Sequence, residues 1–498
     1  MKPIILLILH LPPPIHGAAM MGKYIHDSQL INESFNCHYI NLTTATNLTD
    51  IGKMSIRKLI QFIQLLHTIC KEVKRLKPQL VYITPNAKGG AFYKDFIIVQ
   101  MLKTMGCQIV AHYHNKGVST RQDHWLDDKL YRLFFKRLKV ILLAEALYAD
   151  IKKYVKREDV MFCPNGIPET LNKESTAERN NKVPHLLFLS NLLESKGVLV
   201  LLDALKLLSD KGYSFVCDFV GGETTEIDAA RFKREVEQRG LNKLAIYDGK
   251  KFGEEKKQYF EQADIFVLPT HNECFPLVNL EAMEYKLPVI STNEGGIPDV
   301  VKDGKTGFIC EKKDADLLAH CIEQLFTDKE LRLKMGEEGY KAFKQHFTLQ
   351  AFESTFISCV NKCKHGGGGV KINLPFYHGK RFGTDKEAFF SQADIFVFPT
   401  YYHNECFPLV LLEAMQQGIA CISTNEGGIP SIIEEGKTGY IIEKKNASAL
   451  ADKIELLLNN PSLCQKMGEN GQKKFLAEFT IERFENRMKT LLEKLVTN

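Results

Sequence analysis

The sequence predicts an α/β chain: two doubly wound parallel-sheet domains, followed by a partial repeat of the second. Three observations lead there. Short apolar runs alternate with helical stretches through residues 1–364, the pattern of parallel strands joined by crossover helices. The segment ADIFVLPTHNECFPLVNLEAM (263–283) returns as ADIFVFPTYYHNECFPLVLLEAM (393–415), and apart from an inserted Tyr-Tyr the aligned positions differ at two residues. The length of 498 residues, with 44% hydrophobic and 25% charged side chains, suits about three domains of roughly 150 residues and excludes a disordered, collagen-like or membrane-embedded chain.

In chain order, the first domain (1–170) carries the runs IILLILH, HYINL, LVYITP, QIVAHYH and KVILLA, each followed by a helical or loop stretch. The start MKPIILLILHLPPP superficially resembles a secretion signal. No small-residue cleavage site follows, so it reads as a buried first strand, and the sequons at Asn41 and Asn47 carry no glycosylation meaning. No apolar stretch reaches about 18 residues. Thirteen cysteines without CxxC pairs read as reduced thiols of a cytoplasmic protein. The polar stretch 170–182 reads as a linker. The second domain (183–364) follows with HLLFLSN, a Leu-rich helix over 198–211, SFVCDFVGG, a charged helix over 228–240, then LAIYDG, ADIFVLPT, PVIST and TGFIC. Gly366–Gly369 reads as a flexible joint to the repeat, 370–498. STNEGGIP also recurs, at 291–298 and 423–430. The repeat begins midway through the fold, which would leave strand edges bare. It must therefore pack on the first copy, exchange with it, or fold poorly.

Parallel sheets bind ligands beyond the carboxyl ends of their strands. Three loops lie there. Pro12 to Gly17 follows the first strand, and Gly17 would let the backbone approach an anion. Ser190 to Gly197 places Lys196 ahead of a helix N-terminus, which suits a diphosphate. Glu273 falls in the loop after ADIFVLPT, and Pro276 fits as a first helical residue. That leaves Glu281 about a turn and a half into the helix, on the side of the loop. Two such carboxylates can accept hydrogen bonds from vicinal sugar hydroxyls. A hydrolase pair is the other reading, but both acids sit on one element with no arrangement across a glycosidic bond. His112 and His114 alternate on a strand, so one of them is expected to face the cleft. Without a carboxylate cluster they do not make a metal site. No GxGxxG follows a strand, which argues against a dinucleotide dehydrogenase.

The run HNECFPLVNLEAM, then PVISTNEGGIPDVV and DGKTGF, resembles the donor-binding half of the family-4 retaining glycosyltransferases, whose two Rossmann-like domains face across a cleft (the GT-B fold). Asn165-Gly166 closing the first domain and Lys196-Gly197 opening the second extend the resemblance over the chain. It implies transfer of a sugar from a UDP- or GDP-linked donor to a hydroxyl, with retention and without metal or other cofactor. By it, Glu273 holds the donor sugar, Glu281 the ribose hydroxyls, and the backbone at Phe275, Pro276 and Leu277 the sugar and phosphate. Lys196 with Gly197 neutralises the leaving diphosphate, Gly17 admits it, and His114 faces the sugar. Many members carry an Arg where this chain has Asn191, so one phosphate partner is missing.

Glu405 and Glu413 repeat the carboxylate pair without a counterpart of Lys196-Gly197. The first copy is therefore the expected site, with an exchange that brings Glu405 and Glu413 into the cleft left open. Gly418 in EAMQQG stands where the first copy has Lys286. Charge is uneven: residues 1–170 hold 23 basic and 13 acidic side chains, net +10, and the remainder is net −5. With the aromatic and basic stretch 125–139, this suits a saccharide or lipid-linked acceptor and peripheral contact with the inner membrane face. The basic outer face of a packed helix is the plainer reading. Carboxylates in the cleft argue against nucleic acid. The whole reads as a glycosyltransferase of surface polysaccharide or glycolipid synthesis. An impaired nucleotide-sugar-binding protein, and an epimerase or hydrolase on the same fold, stay open.

Overall fold

The computed structural model describes residues 2–13, 17–43, 56–170, 179, 181–364, 383–402 and 405–496. The glycine stretch 366–369, most of the stretch 170–182 and residues 14–16 of the loop expected to bind the diphosphate lie outside them. Residues 1–377 and 378–498 form two compact units.

The first unit contains two six-stranded sheets, all parallel. In the first, β1 (Ile4–Leu9), β2 (Asn36–Asn41), β3 (Leu80–Ile83), β4 (Ile109–Tyr113), β5 (Lys139–Leu142) and β6 (Val160–Phe162) run in the order β2-β1-β3-β4-β5-β6. The second is built from β7 (His185–Leu189), β8 (Val216–Val220), β9 (Ala245–Gly249), β10 (Ile265–Leu268), β11 (Val289–Thr292) and β12 (Gly307–Cys310), in the order β12-β11-β10-β7-β8-β9. The doubly wound α/β class read from the alternation is thus found twice, with β6 added to the strands expected. Central strands such as β1, whose Ile5 to Leu9 are all buried, read as unbroken apolar runs because helices cover both sheet faces.

The helix Leu349–Lys364, read from the sequence as part of the second domain (183–364), packs on the first sheet. It lays Phe352, Phe356, Cys359, Val360 and Cys363 against Ile5, Leu7, Tyr82, Val110 and Ile141 of the first sheet. Just before it the chain is pinned, with Ile167 N–H donating to Phe347 O at 3.0 Å and Leu349 N–H to Ile167 O at 2.7 Å. Periodicity shows that this helix has a buried face but not which sheet the face covers.

The second unit carries a three-stranded parallel sheet, β13 (Ile395–Phe398), β14 (Ala420–Thr424) and β15 (Gly439–Ile442), in that order. These correspond to β10, β11 and β12. Among the described residues no strand borders β13 as β7 borders β10, and β10 is buried at all four positions while β13 is half-exposed at all four. The repeat keeps the local chemistry of the first copy. Lys256 meets Glu281 at 2.7 Å and Lys386 meets Glu413 at 2.6 Å, while Lys312 meets Glu294 at 2.9 Å and Lys444 meets Glu426 at 2.5 Å. Lys286 and Gly418 share a left-handed backbone, φ +56° and +72°, a conformation that favours glycine.

One of the two aligned differences bears on stability. Asn279 and Leu411 are both fully buried, but neither amide atom of Asn279 has a hydrogen-bond partner. An unpaired buried amide costs about 1–3 kcal/mol. Asn279→Leu, which borrows the repeat's own residue, is expected to raise the melting temperature by about 5 °C. A calorimetric scan showing no rise would mean the amide is satisfied by an internal water.

Candidate functional site

The second sheet reverses its winding between β7 and β10, so the loops that follow these two strands lie side by side. They are joined directly. The Ser195 carbonyl accepts from the Thr270 hydroxyl at 3.0 Å and the His271 N–H at 2.9 Å. Gly197 ends the short 3-10 turn Glu194–Lys196 with φ +83° and precedes the helix Val198–Asp210. A Cβ at Gly197 would stand 2.1 Å from the Pro269 carbonyl oxygen. This close approach brings Lys196 to the other loop, where its Nζ donates to Glu273 Oε2 and, at 3.4 Å, to the Asn272 carbonyl. Both side chains of this ion pair are about a fifth exposed.

Glu273 is steadied from its own loop as well. Its Oε1 accepts from the Cys274 N–H at 3.1 Å, and its own N–H donates to Glu294 Oε1 at 3.4 Å. Pro276 precedes rather than begins the helix Leu277–Glu284 and occupies its cap without a side-chain bond, which leaves the first N–H groups of that helix uncapped by side chains. Phe275 and Pro276 are buried and Leu277 is half-buried. Glu281 is the fifth helical residue; Lys256 holds its Oε1, and its Oε2 has no partner. Burial raises the Glu281 pKa, opposed by Lys256. From the first domain, Tyr24 lies close enough that, after burial, the Glu281 charge adds to the rise of its own pKa. Tyr24 stands two turns along the helix Gly17–Asp27. Gly17 is the exposed first residue of that helix, with open space where its side chain would be.

Two expectations need correction. His112 and His114 do not point to opposite faces: residues two apart on a strand share a face, and their rings are 4.2 Å apart. They differ in depth. His112 is buried, with Nδ1 at 2.8 Å from the Tyr82 hydroxyl and its pKa driven well down by burial and then by His114. His114 is partly exposed. The stretch 125–139 is not one helix either. The helix is Trp125–Phe135, Arg137 takes φ +57°, and Lys139 opens β5.

Asn191 is exposed, and its Oδ1 accepts from Gly222 N–H at 3.1 Å. In the second unit Glu405 is partly exposed, while Phe407 and Leu409 are 41% and 67% exposed against 5% for Phe275. Four side chains at the site are not singled out by the sequence: Lys116, Lys256, Glu294 and Lys312. The available signal was repetition, since Lys256, Glu294 and Lys312 recur as Lys386, Glu426 and Lys444. Among the described residues, no three His, Cys, Asp or Glu side chains are grouped to hold a metal ion, and no helix is long and apolar enough to cross a membrane.

The family model of the glycosyl transferases group 1 matches residues 168–342 and again 368–474, more than half of the chain. The chain is 31% identical over 174 residues to the capsular polysaccharide biosynthesis glycosyltransferase CapM of Staphylococcus aureus, covering 35% of this chain and 45% of that one. It is 28% identical over 247 residues to the amylovoran biosynthesis glycosyltransferase AmsK of Erwinia amylovora, covering 47% and 57%. The matched regions span about half the length of these relatives. The fold is similar to that of Anabaena HepE, solved in complex with UDP-glucose, with a TM-score of 0.56 and 16% identity over 73% of this chain and all of that one.

Proposed function

Because the chain belongs to the glycosyl transferases group 1, we propose that it moves a sugar from a UDP- or GDP-linked donor to a hydroxyl of a saccharide or lipid-linked acceptor, with retention and without a metal. The observation that carries this reading is the Lys196–Glu273 pair, set between the β7 and β10 loops beside two helix N-termini. On donor binding the pair separates: Lys196 turns to the diphosphate and Glu273 accepts from the sugar hydroxyls. The free Oε2 of Glu281 accepts from the ribose, and His114 lines the sugar. The acceptor oxygen bonds to the anomeric carbon on the face the diphosphate leaves, the carbon–phosphate-oxygen bond breaks, and the acceptor proton passes to the departing phosphate. Lys196 and the helix N-termini supply the charge stabilisation that a divalent ion provides elsewhere.

Capsule and amylovoran synthesis in the relatives supports a product at the cell surface. A peripheral membrane position is supported by Trp125, Leu126 and Leu133, which are 71%, 47% and 50% exposed, with Lys129 Nζ 4.8 Å from the Trp125 ring centroid. Arg132 is paired with Asp128, however, which reduces the basic excess of that helix.

Thermal shift with UDP, GDP and their sugars tests the reading. The matching nucleotide is expected to stabilise the chain, and Glu273→Ala to weaken sugar-dependent stabilisation where Glu405→Ala does not. Affinity should fall as pH is lowered, starting above the ordinary carboxylate range, because burial raises the Glu281 pKa and protonating Glu281 removes an acceptor; Glu281→Gln should flatten this profile. Loss of binding in Glu405→Ala alone would move the site to the repeat. Binding without transfer would favour the impaired reading, for which Asn191 in place of Arg speaks. Donor breakdown or sugar inversion without acceptor would indicate a hydrolase or epimerase.

A further inference from the structure

Glu294 joins three parts of the first unit. It stands after β11 with a side chain 5% exposed, and its Oε2 accepts from Lys312 at 2.9 Å. Its Oε1 accepts from Lys116, which comes from the first domain, and from the backbone N–H of Glu273 at 3.4 Å. Burial works to raise the Glu294 pKa, but Lys116 and Lys312 outweigh it and hold it below the ordinary value.

Lys116 is presented by a stiff loop. The N–H groups of Gly117, Val118 and Ser119 donate to Asp150 at 2.8, 3.1 and 2.9 Å, and the Ser119 hydroxyl adds a bond of 2.6 Å. On its other side, Asn115 Oδ1 accepts from Ala87 N–H at 2.7 Å, and Asn115 Nδ2 donates to Pro85 O at 3.3 Å. A second tie between the domains lies close by in sequence: Ala146 N–H donates to Asp299 Oδ2 at 3.0 Å.

The repeat serves as an internal comparison. Glu426 and Lys444 keep their pair, so the Lys312 arm belongs to the half-domain itself. The repeat contains no first domain and so no equivalent of Lys116, and its Glu405 N–H donates to Tyr402 O at 2.9 Å instead of to the Glu426 carboxylate.

We propose that Lys116 is a positioning residue: through Glu294 it couples the approach of the two domains to the backbone setting of Glu273. This rests on the reading of the Glu273 loop as the donor-sugar subsite. When the domains part, Glu294 loses its interdomain cation and its hold on the Glu273 N–H weakens. When they close, the loop is set.

The test uses the full chain with Lys116→Met, Lys116→Arg and Glu294→Gln. Hydrogen exchange of the peptide spanning 270–276 is expected to quicken several-fold in Lys116→Met and Glu294→Gln and to return toward wild type in Lys116→Arg. Turnover should fall about 10- to 100-fold in Lys116→Met, with nucleotide affinity within about two-fold. Unchanged exchange and turnover in Lys116→Met would overturn the proposal. So would a uniform loss of melting temperature, nucleotide binding and turnover, the mark of a merely structural bridge. A wild-type chain that transfers no sugar would sink the proposed function, and exchange at 270–276 would still judge the coupling.

Discussion

Lys196→Met is expected to lower sugar transfer roughly 10²- to 10³-fold in kcat, the usual loss when one preorganised group facing a developing charge is removed. The expectation follows from geometry. Lys196 is the cation that the β7 loop brings to Glu273, and Asn191, where the resemblance leads one to expect an Arg, offers a neutral amide already engaged by Gly222. No other side chain of the Ser190 to Gly197 loop carries positive charge. In the proposed reaction charge builds on the diphosphate as the glycosidic bond breaks, so the loss should appear mainly in kcat and less in donor KM. Lys196→Arg should recover part of the rate, since charge is kept and the fork geometry differs. Steady-state kinetics against the donor identified by thermal shift would decide the matter. A Lys196→Met enzyme within three-fold of wild type would make Lys196 a tether for Glu273 rather than a catalytic group.

Gly197→Ala should be strongly destabilising. Left-handed backbone costs an L-residue about 1–2 kcal/mol, and here the added Cβ would stand 2.1 Å from the Pro269 carbonyl oxygen, a fixed backbone atom. Relief requires the β7 and β10 loops to part. A loss of about 3 kcal/mol, near 10 °C in melting temperature, is expected. Gly212 supplies the control: its φ is +84°, almost that of Gly197, but nothing lies within 4 Å of its virtual Cβ. Gly212→Ala should therefore show the backbone cost alone, about 1 kcal/mol. Equal losses for the two variants would show that the loops yield freely.

The fold was readable because each sheet is made of local apolar runs. β6 escaped because Val160–Phe162 spans three residues, too few for a pattern to stand out. The proximity of Lys196 and Glu273, 77 residues apart, could be anticipated because both follow strand ends of one parallel sheet. Lys116 and Glu294 could not. They are 178 residues apart and on different sheets, and no periodicity within either domain reports how two domains face each other. The two histidines show a different limit. Their spacing sets a common face, but the burial of His112 comes with its partner Tyr82, which Phe356 of the helix Leu349–Lys364 covers, and the docking of that helix on the first sheet has no local sequence signature. The repeat is legible as text, yet the half-exposure of β13 does not follow from its own residues, which match β10 at all but the last position; among the described residues it has no neighbour like β7.

The return of helix Leu349–Lys364 to the first sheet has a consequence for synthesis. A ribosome emits β1 first, but the apolar face that Ile5, Leu7, Tyr82, Val110 and Ile141 offer to Phe352 and Phe356 gains its cover only after residue 364 has left the exit tunnel. The first domain to appear is thus completed only after the second has been made, and through the making of some 200 further residues it carries an uncovered apolar face. A nascent chain stalled within the second domain would hold that face open to chaperones, and release would coincide with emergence of the helix that ends just before the glycine joint.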